Sequence, residues 1–162
     1  MSLPVTLVYD RTAADVAEVI RLTGTPYNSL STDDKKKLTG QLKGAYNTVD
    51  MTRVNSAVEY LSETLAGYGY DVPVVSATWS VSQIPSAEQL TQYLDNVKNL
   101  RKAIAVLPNT PNLPDNMASL NYNGANSIEK TLADIDALIT KMSATFRHCG
   151  VPNCGQTGGL MR

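Results

Sequence analysis

Residues 42–65 read LKGAYNTVDMTRVNSAVEYLSETL, and the spacing within this stretch decides the class of fold. Val54, Val58, Leu61 and Leu65 recur at steps of four, three and four, which gathers them on one face of an α-helix. Asp50 or Thr48 is placed to cap the start, since a short side-chain oxygen can accept from the free amides of a first turn. Gly67 and Gly69 provide a stop. A long helix with one apolar face needs a second apolar surface to cover it, so the stretch is read as the central stave of a helical bundle.

Two more helices of the same kind lie downstream. Pro85 and Ser86 open one, with Ser86 and Gln89 at capping-box spacing, and Tyr93, Val97, Leu100, Ile104 and Leu107 form its stripe, widened by Leu90 and Leu94. The last starts between Tyr122 and Ser127, where Ser127 is read as a cap. In it Ile128, Leu132, Ile135, Ile139, Met142 and Phe146 alternate steps of four and three. A coiled-coil seam has the same spacing, and a core-facing stripe is the preferred reading. Upstream, Thr12 and Asp15 fit a capping box for a helix with Val16, Val19 and Ile20 as its stripe, ended by Gly24 and Pro26. A short helix begins near Ser31, with Asp33 and Asp34 in its first turn, where the macrodipole favours acids. Leu38 and Leu42 are its apolar contacts, Gly44 separates it from the central helix, and its DDKKK run is read as a solvated face.

The remainder lacks helical period. Residues 72–81 (VPVVSATWSV) are rich in β-branched residues, with Pro73 near their start, and read as an extended connector or a small edge hairpin. Residues 108–121 carry three prolines and, before Asn121, three asparagines, and form a crossing loop. The expected fold is therefore mainly α: a bundle of four to five helices over 10–148, an extended N-terminal arm over 1–9, and a flexible glycine-rich tail over 149–162.

Composition bounds the function. At 162 residues, with 43% hydrophobic and 18% charged residues, the chain can bury roughly 70% of its unfolded surface without disulfide or metal. A net charge of -1 argues against a phosphate-binding surface, so nucleic acid is not an expected partner. No apolar run reaches the roughly 20 residues needed to span a bilayer, which excludes membrane insertion. The first residues lack a secretory pattern and no Asn-X-Ser/Thr acceptor is present, so synthesis and assembly in a cytoplasm are expected.

Chemistry-bearing patterns are few. His148, Cys149 and Cys154 supply three of the four ligands that a closed zinc site generally wants, and no other histidine or cysteine completes the set. Di-iron bundles need Glu-x-x-His pairs, and Thr145 stands three residues before the only histidine. Ser127 and Lys130 match Ser-x-x-Lys, but its companion elements are missing. Glu59 and Glu63 are read as a solvated pair. No catalytic residue, cofactor or bound metal is expected. Trp79 reads as a core plug or interface anchor.

One resemblance extends this reading. Asp10-Arg11-Thr, then Lys43-Gly44-Ala45-Tyr46-Asn47 before a helix, Trp79 followed by Ile84-Pro85, Leu94-x-Asn96-Val97, and Leu120-x-Tyr122 followed by Asn126-x-Ile128-Glu129 occur in this order over residues 8–146. In that order they resemble a helical module of tail proteins from bacteriophages of Gram-positive bacteria. The resemblance implies a non-enzymatic virion structural protein of a tail tip, baseplate or fibre attachment, present in several symmetric copies and partnered by other tail proteins. Val5, Leu7 and Tyr9 of the arm, Tyr70 and Trp79 near the connector, and Leu160 of the tail are the expected contact residues. A host-surface glycan-binding module, using Tyr68, Tyr70 and Tyr122 to stack on sugar rings, is the alternative. A zinc-dependent enzyme using His148, Cys149 and Cys154 is a third.

Overall fold

The computed structural model describes residues 3–149, with side chains to residue 145. Five α-helices appear among the described residues and no strand: α1 (Ala13–Gly24), α2 (Thr32–Thr39), α3 (Thr48–Gly67), α4 (Ala87–Ala103) and α5 (Tyr122–Cys149). The molecule is the mainly helical bundle that the stripes require. Val54, Val58, Leu61 and Leu65 of α3 meet Tyr93, Leu94, Val97 and Leu100 of α4 and Ile128, Leu132, Ile135 and Ile139 of α5 in one core. Fully burying one such aliphatic side chain contributes about 1.5–3 kcal/mol, and the three stripes together hold the helices side by side.

The helix ends follow local chemistry. Thr12 with Asp15, and Ser86 with Gln89, close the expected capping boxes, and Ser31 caps α2. At α3 the cap is Asn47 rather than Asp50 or Thr48; Asp50 completes the box from the third position, accepting from Asn47 N at 3.0 Å. At α5 the Asn121 side chain accepts from Gly124 N at 2.9 Å, so Ser127 lies inside the helix rather than at its cap. Helix α4 ends at Ala103, leaving Ile104 and Leu107 beyond it, half-buried on the turn that reverses the chain. In α1 the stripe is rotated from the expected one: Leu22 is buried and Ile20 is exposed. Ion pairs from Arg21 to Glu18 (2.8 Å) and Asp34 (2.7 Å), and from Lys37 to Glu18 (3.0 Å), tie α1 to α2 as a side hairpin.

The three long helices run in the same direction. Tyr46, one residue before the α3 cap, meets Tyr93 in the second turn of α4, and further along both helices Asn55 and Asn96 line one groove. Tyr46 likewise shares a hollow with Tyr122 and Ala125, while Arg53, further along α3, reaches Glu129 of α5 at 3.0 Å. Parallel neighbours need long returns; extended straps over 70–81 and 104–121 supply the two, and a third strap precedes α1. Residues 3–11 descend α5: the backbone of Leu3 faces Asp136, Val8 N donates to Glu129 at 2.6 Å and Arg11 N donates to Asn126 at 3.0 Å. Residues 70–81 descend α3, with Ser62 Oγ donating to Val72 O at 2.7 Å and Ser76 bonded to Glu59. Residues 104–121 descend α5, with Thr110 donating to Asp134 at 2.8 Å and Lys98 of α4 reaching Asp115 O at 3.5 Å.

Two straps are held by the same device. Asn126 of α5 accepts from Arg11 N and donates to Arg11 O at 2.8 Å; Asn96 of α4 accepts from Val75 N at 3.0 Å and donates to Val75 O at 2.8 Å. Each carboxamide takes the place of a neighbouring strand, satisfying a main chain that has no ladder.

Candidate functional site

Two polar constellations stand out, one buried and one open. The buried one joins the N-terminal strap, α3 and α5. Arg11, whose side chain is 1% exposed, bonds through Nη2 to Asp50 (2.8 Å) and Glu129 (2.7 Å). Arg53 bonds to Glu129 through Nε (3.0 Å) and Nη2 (2.8 Å) and also pairs with Asp50. Two guanidinium groups thus neutralise two carboxylates, and Arg11 Nε adds a bond to Lys43 O at 3.1 Å. Arg11 also lies over the Tyr46 ring, 5.3 Å from its centroid. The quartet is charge-balanced and saturated with hydrogen bonds, so its acids are committed to structure. The sequence motif singled out Arg11, Tyr46, Asn47, Asn96, Asn126 and Glu129 by resemblance without assigning them roles; the structure uses them as caps, clamps and charge partners.

Beside the quartet, the Tyr46 and Tyr93 hydroxyls bond to each other within the core. Burial disfavours phenolate and holds both tyrosines well above their ordinary value near 10. A folded-state value above the unfolded one means that the protonated form is preferred. The associated stability is complete below about pH 10 and is lost as pH rises beyond it. The melting temperature is therefore expected to drop with increasing slope above about pH 10, and Y46F/Y93F should flatten that drop. Equal alkaline slopes for wild type and double variant would count against the buried pair.

The open constellation lies along the 70–81 strap. A groove of about 420 Å³ runs between the strap (Val75, Ser76, Thr78, Trp79) and the helices, lined from α3 by Asn55 and from α4 by Glu88, Gln89 and Gln92. Trp79 is half-buried and packs edge-on against buried Tyr93, with ring centroids 5.6 Å apart. Its Nε1 is the one buried side-chain polar atom among the described residues without a hydrogen-bond partner. Beyond Trp79 the strap ends in a turn closed by Gln83 N to Ser80 O (3.2 Å) and by the Ser80 and Ser82 hydroxyls (2.8 Å). That turn holds Val81 and Ile84 91% and 97% exposed.

The other expected contact residues fall in different places. Val5 and Leu7 are half-buried and pack, with Leu3, on this chain's own core, while Tyr9 and Tyr70 are exposed. Tyr68 and Tyr70 follow the end of α3, whereas Tyr122 opens α5 at the opposite pole, so the three tyrosines do not form one sugar-stacking face. Cys154 and Leu160 lie outside the described residues, as do the side chains of His148 and Cys149 and the 150–162 portion of the predicted tail; α5 itself continues to Cys149. Among the described residues no group of three or more His, Cys, Asp or Glu is placed to hold a metal ion, and no helix is long and apolar enough to cross a membrane. Compared with protein families, curated proteins and solved structures, the chain matches none.

Proposed function

We propose that this chain is a non-enzymatic structural component of a bacteriophage tail, at the tip, baseplate or fibre attachment, acting through protein–protein assembly in several copies. The observation that carries the reading is the pair Val81 and Ile84, held almost fully in water on a closed turn. Two aliphatic side chains fixed outward from a bundle with a well-filled core gain their burial from a neighbour. Ile84 belongs to the Trp79-to-Pro85 motif on which the resemblance to tail modules rests. The saturated Arg11–Asp50–Arg53–Glu129 quartet supports a scaffold in preference to a catalyst, because its acids are buried and fully paired.

The test is complementation with V81D/I84D in the phage or prophage genome that encodes the chain, with immunogold labelling of purified particles. Wild-type protein should label tails, and the double variant should keep the wild-type melting temperature yet be missing from particles. Unlabelled wild-type particles, or incorporation of the variant at the wild-type level, would overturn the proposal.

A further inference from the structure

We propose that the groove beside Trp79 is a binding site for an uncharged sugar residue. Its volume of about 420 Å³ lies within the roughly 300–1,000 Å³ of small-molecule clefts. The lining combines one indole wall with carboxamides and a carboxylate, and no lysine, arginine or histidine is among the described residues that line it. Glu88, with Glu59 close by on α3, makes the surroundings acidic. A phosphate, sulfate or acidic sugar would meet repulsion with no counter-charge.

The hydrogen-bonding state of the amides sharpens the choice. Asn96 is oriented by its two bonds to Val75, so its Oδ1 is an acceptor and Gln92 Nε2 must donate to it, at 3.1 Å. Asn55 Nδ2 donates to Glu59 Oε1 at 2.9 Å. Both amides thus use a donor on the protein and leave their carbonyl oxygens, Asn55 Oδ1 and Gln92 Oε1, without a protein partner. The groove offers acceptors from the helices and, from the strap, the indole of Trp79, whose own N–H is buried. A sugar hydroxyl is donor and acceptor at once, and the ring's C–H face suits an aromatic wall. A purely apolar ligand would leave those carbonyls unpaired. This reading is independent of the tail proposal, since it uses neither Val81 nor Ile84.

Trp79 is the only tryptophan in the chain, so its fluorescence reports on the groove without a label. The full chain is titrated with glucose, galactose, N-acetylglucosamine and its trimer, with glucuronic acid and an extended neutral tetrapeptide as comparisons. An array of neutral and acidic oligosaccharides extends the survey. The expected result is a saturable change in Trp79 emission with at least one neutral saccharide. E88A, at an exposed position of α4, and Q92A, at a half-buried one, should each weaken it about tenfold, the loss of one hydrogen bond at a binding site, with circular dichroism showing that each variant keeps the wild-type helicity. Three results would each overturn the proposal: no neutral saccharide acting in titration or on the array, undiminished binding by both variants, or preference for glucuronic acid or the peptide. None of them bears on the incorporation of V81D/I84D into particles.

Discussion

Replacing Glu129 with alanine is expected to lower the unfolding free energy by about 3–5 kcal/mol, the usual cost of breaking a buried ion pair from one side. Glu129 is fully buried and accepts from Val8 N, from Arg11 and twice from Arg53. Without it, Arg11 and Arg53 share the single carboxylate of Asp50, leaving one unbalanced positive charge in the interior. The loss also releases the N-terminal strap at Val8. Chemical denaturation followed by circular dichroism should show a lower midpoint at an unchanged slope, the signature of a stability change without a new unfolded state. Glu129→Gln keeps shape and acceptor but not charge, and should fall between wild type and alanine. A loss below about 1 kcal/mol for alanine would mean that the quartet behaves like a solvated surface pair.

The second large effect is expected at Gly44. A methyl group there would sit 2.2 Å from the carbonyl oxygen of Asp15, 2.3 Å from its carbonyl carbon and 2.7 Å from Val16 N. All three are backbone atoms in the first turn of α1, so no side chain can yield. Lys43 pins the same corner, reaching Asp10 at 2.8 Å. Gly44→Ala should therefore push the α1–α2 hairpin off the bundle, at about 1–3 kcal/mol as for other overpacked sites. Limited proteolysis should cut within 12–40 before the bundle opens, while the bundle keeps its helicity. Cleavage indistinguishable from wild type would show that the close approach is not made.

The parts visible in the sequence and the parts hidden in it differ in range. The stripes of α3, α4 and α5 were legible because a helix repeats every 3.6 residues and each stripe is its own evidence. Three of the five caps, at α1, α2 and α4, are legible for the same local reason; α3 differs because Asn47 caps one residue earlier than Thr48, and α5 because Asn121 precedes Ser127. The stripe of α1 was misread at Ile20, because a short helix covered on one side by α2 offers too few positions to fix its rotation. The straps left no period at all. Their anchors are single amides joining positions 21 and 115 apart, and nothing near Val75 or Arg11 announces Asn96 or Asn126. Glu129 was readable as an acid beside the Ile128 stripe; its partners, 118 and 76 positions away, were not.

The strap geometry also governs how the molecule bears mechanical load. Residue 3 and the end of α5 lie towards the same pole, and the 3–11 strap runs antiparallel to α5. Tension between those two ends loads the strap as a zipper, opening Leu3, then Val8, then Arg11 in succession. Tension between residue 3 and the opposite pole, where α3 and α4 begin, loads the same contacts in parallel as a shear. The fold is thus stiff against pulling along its length and compliant against separation of its ends, with Asn126 and Glu129 as the last contacts to yield.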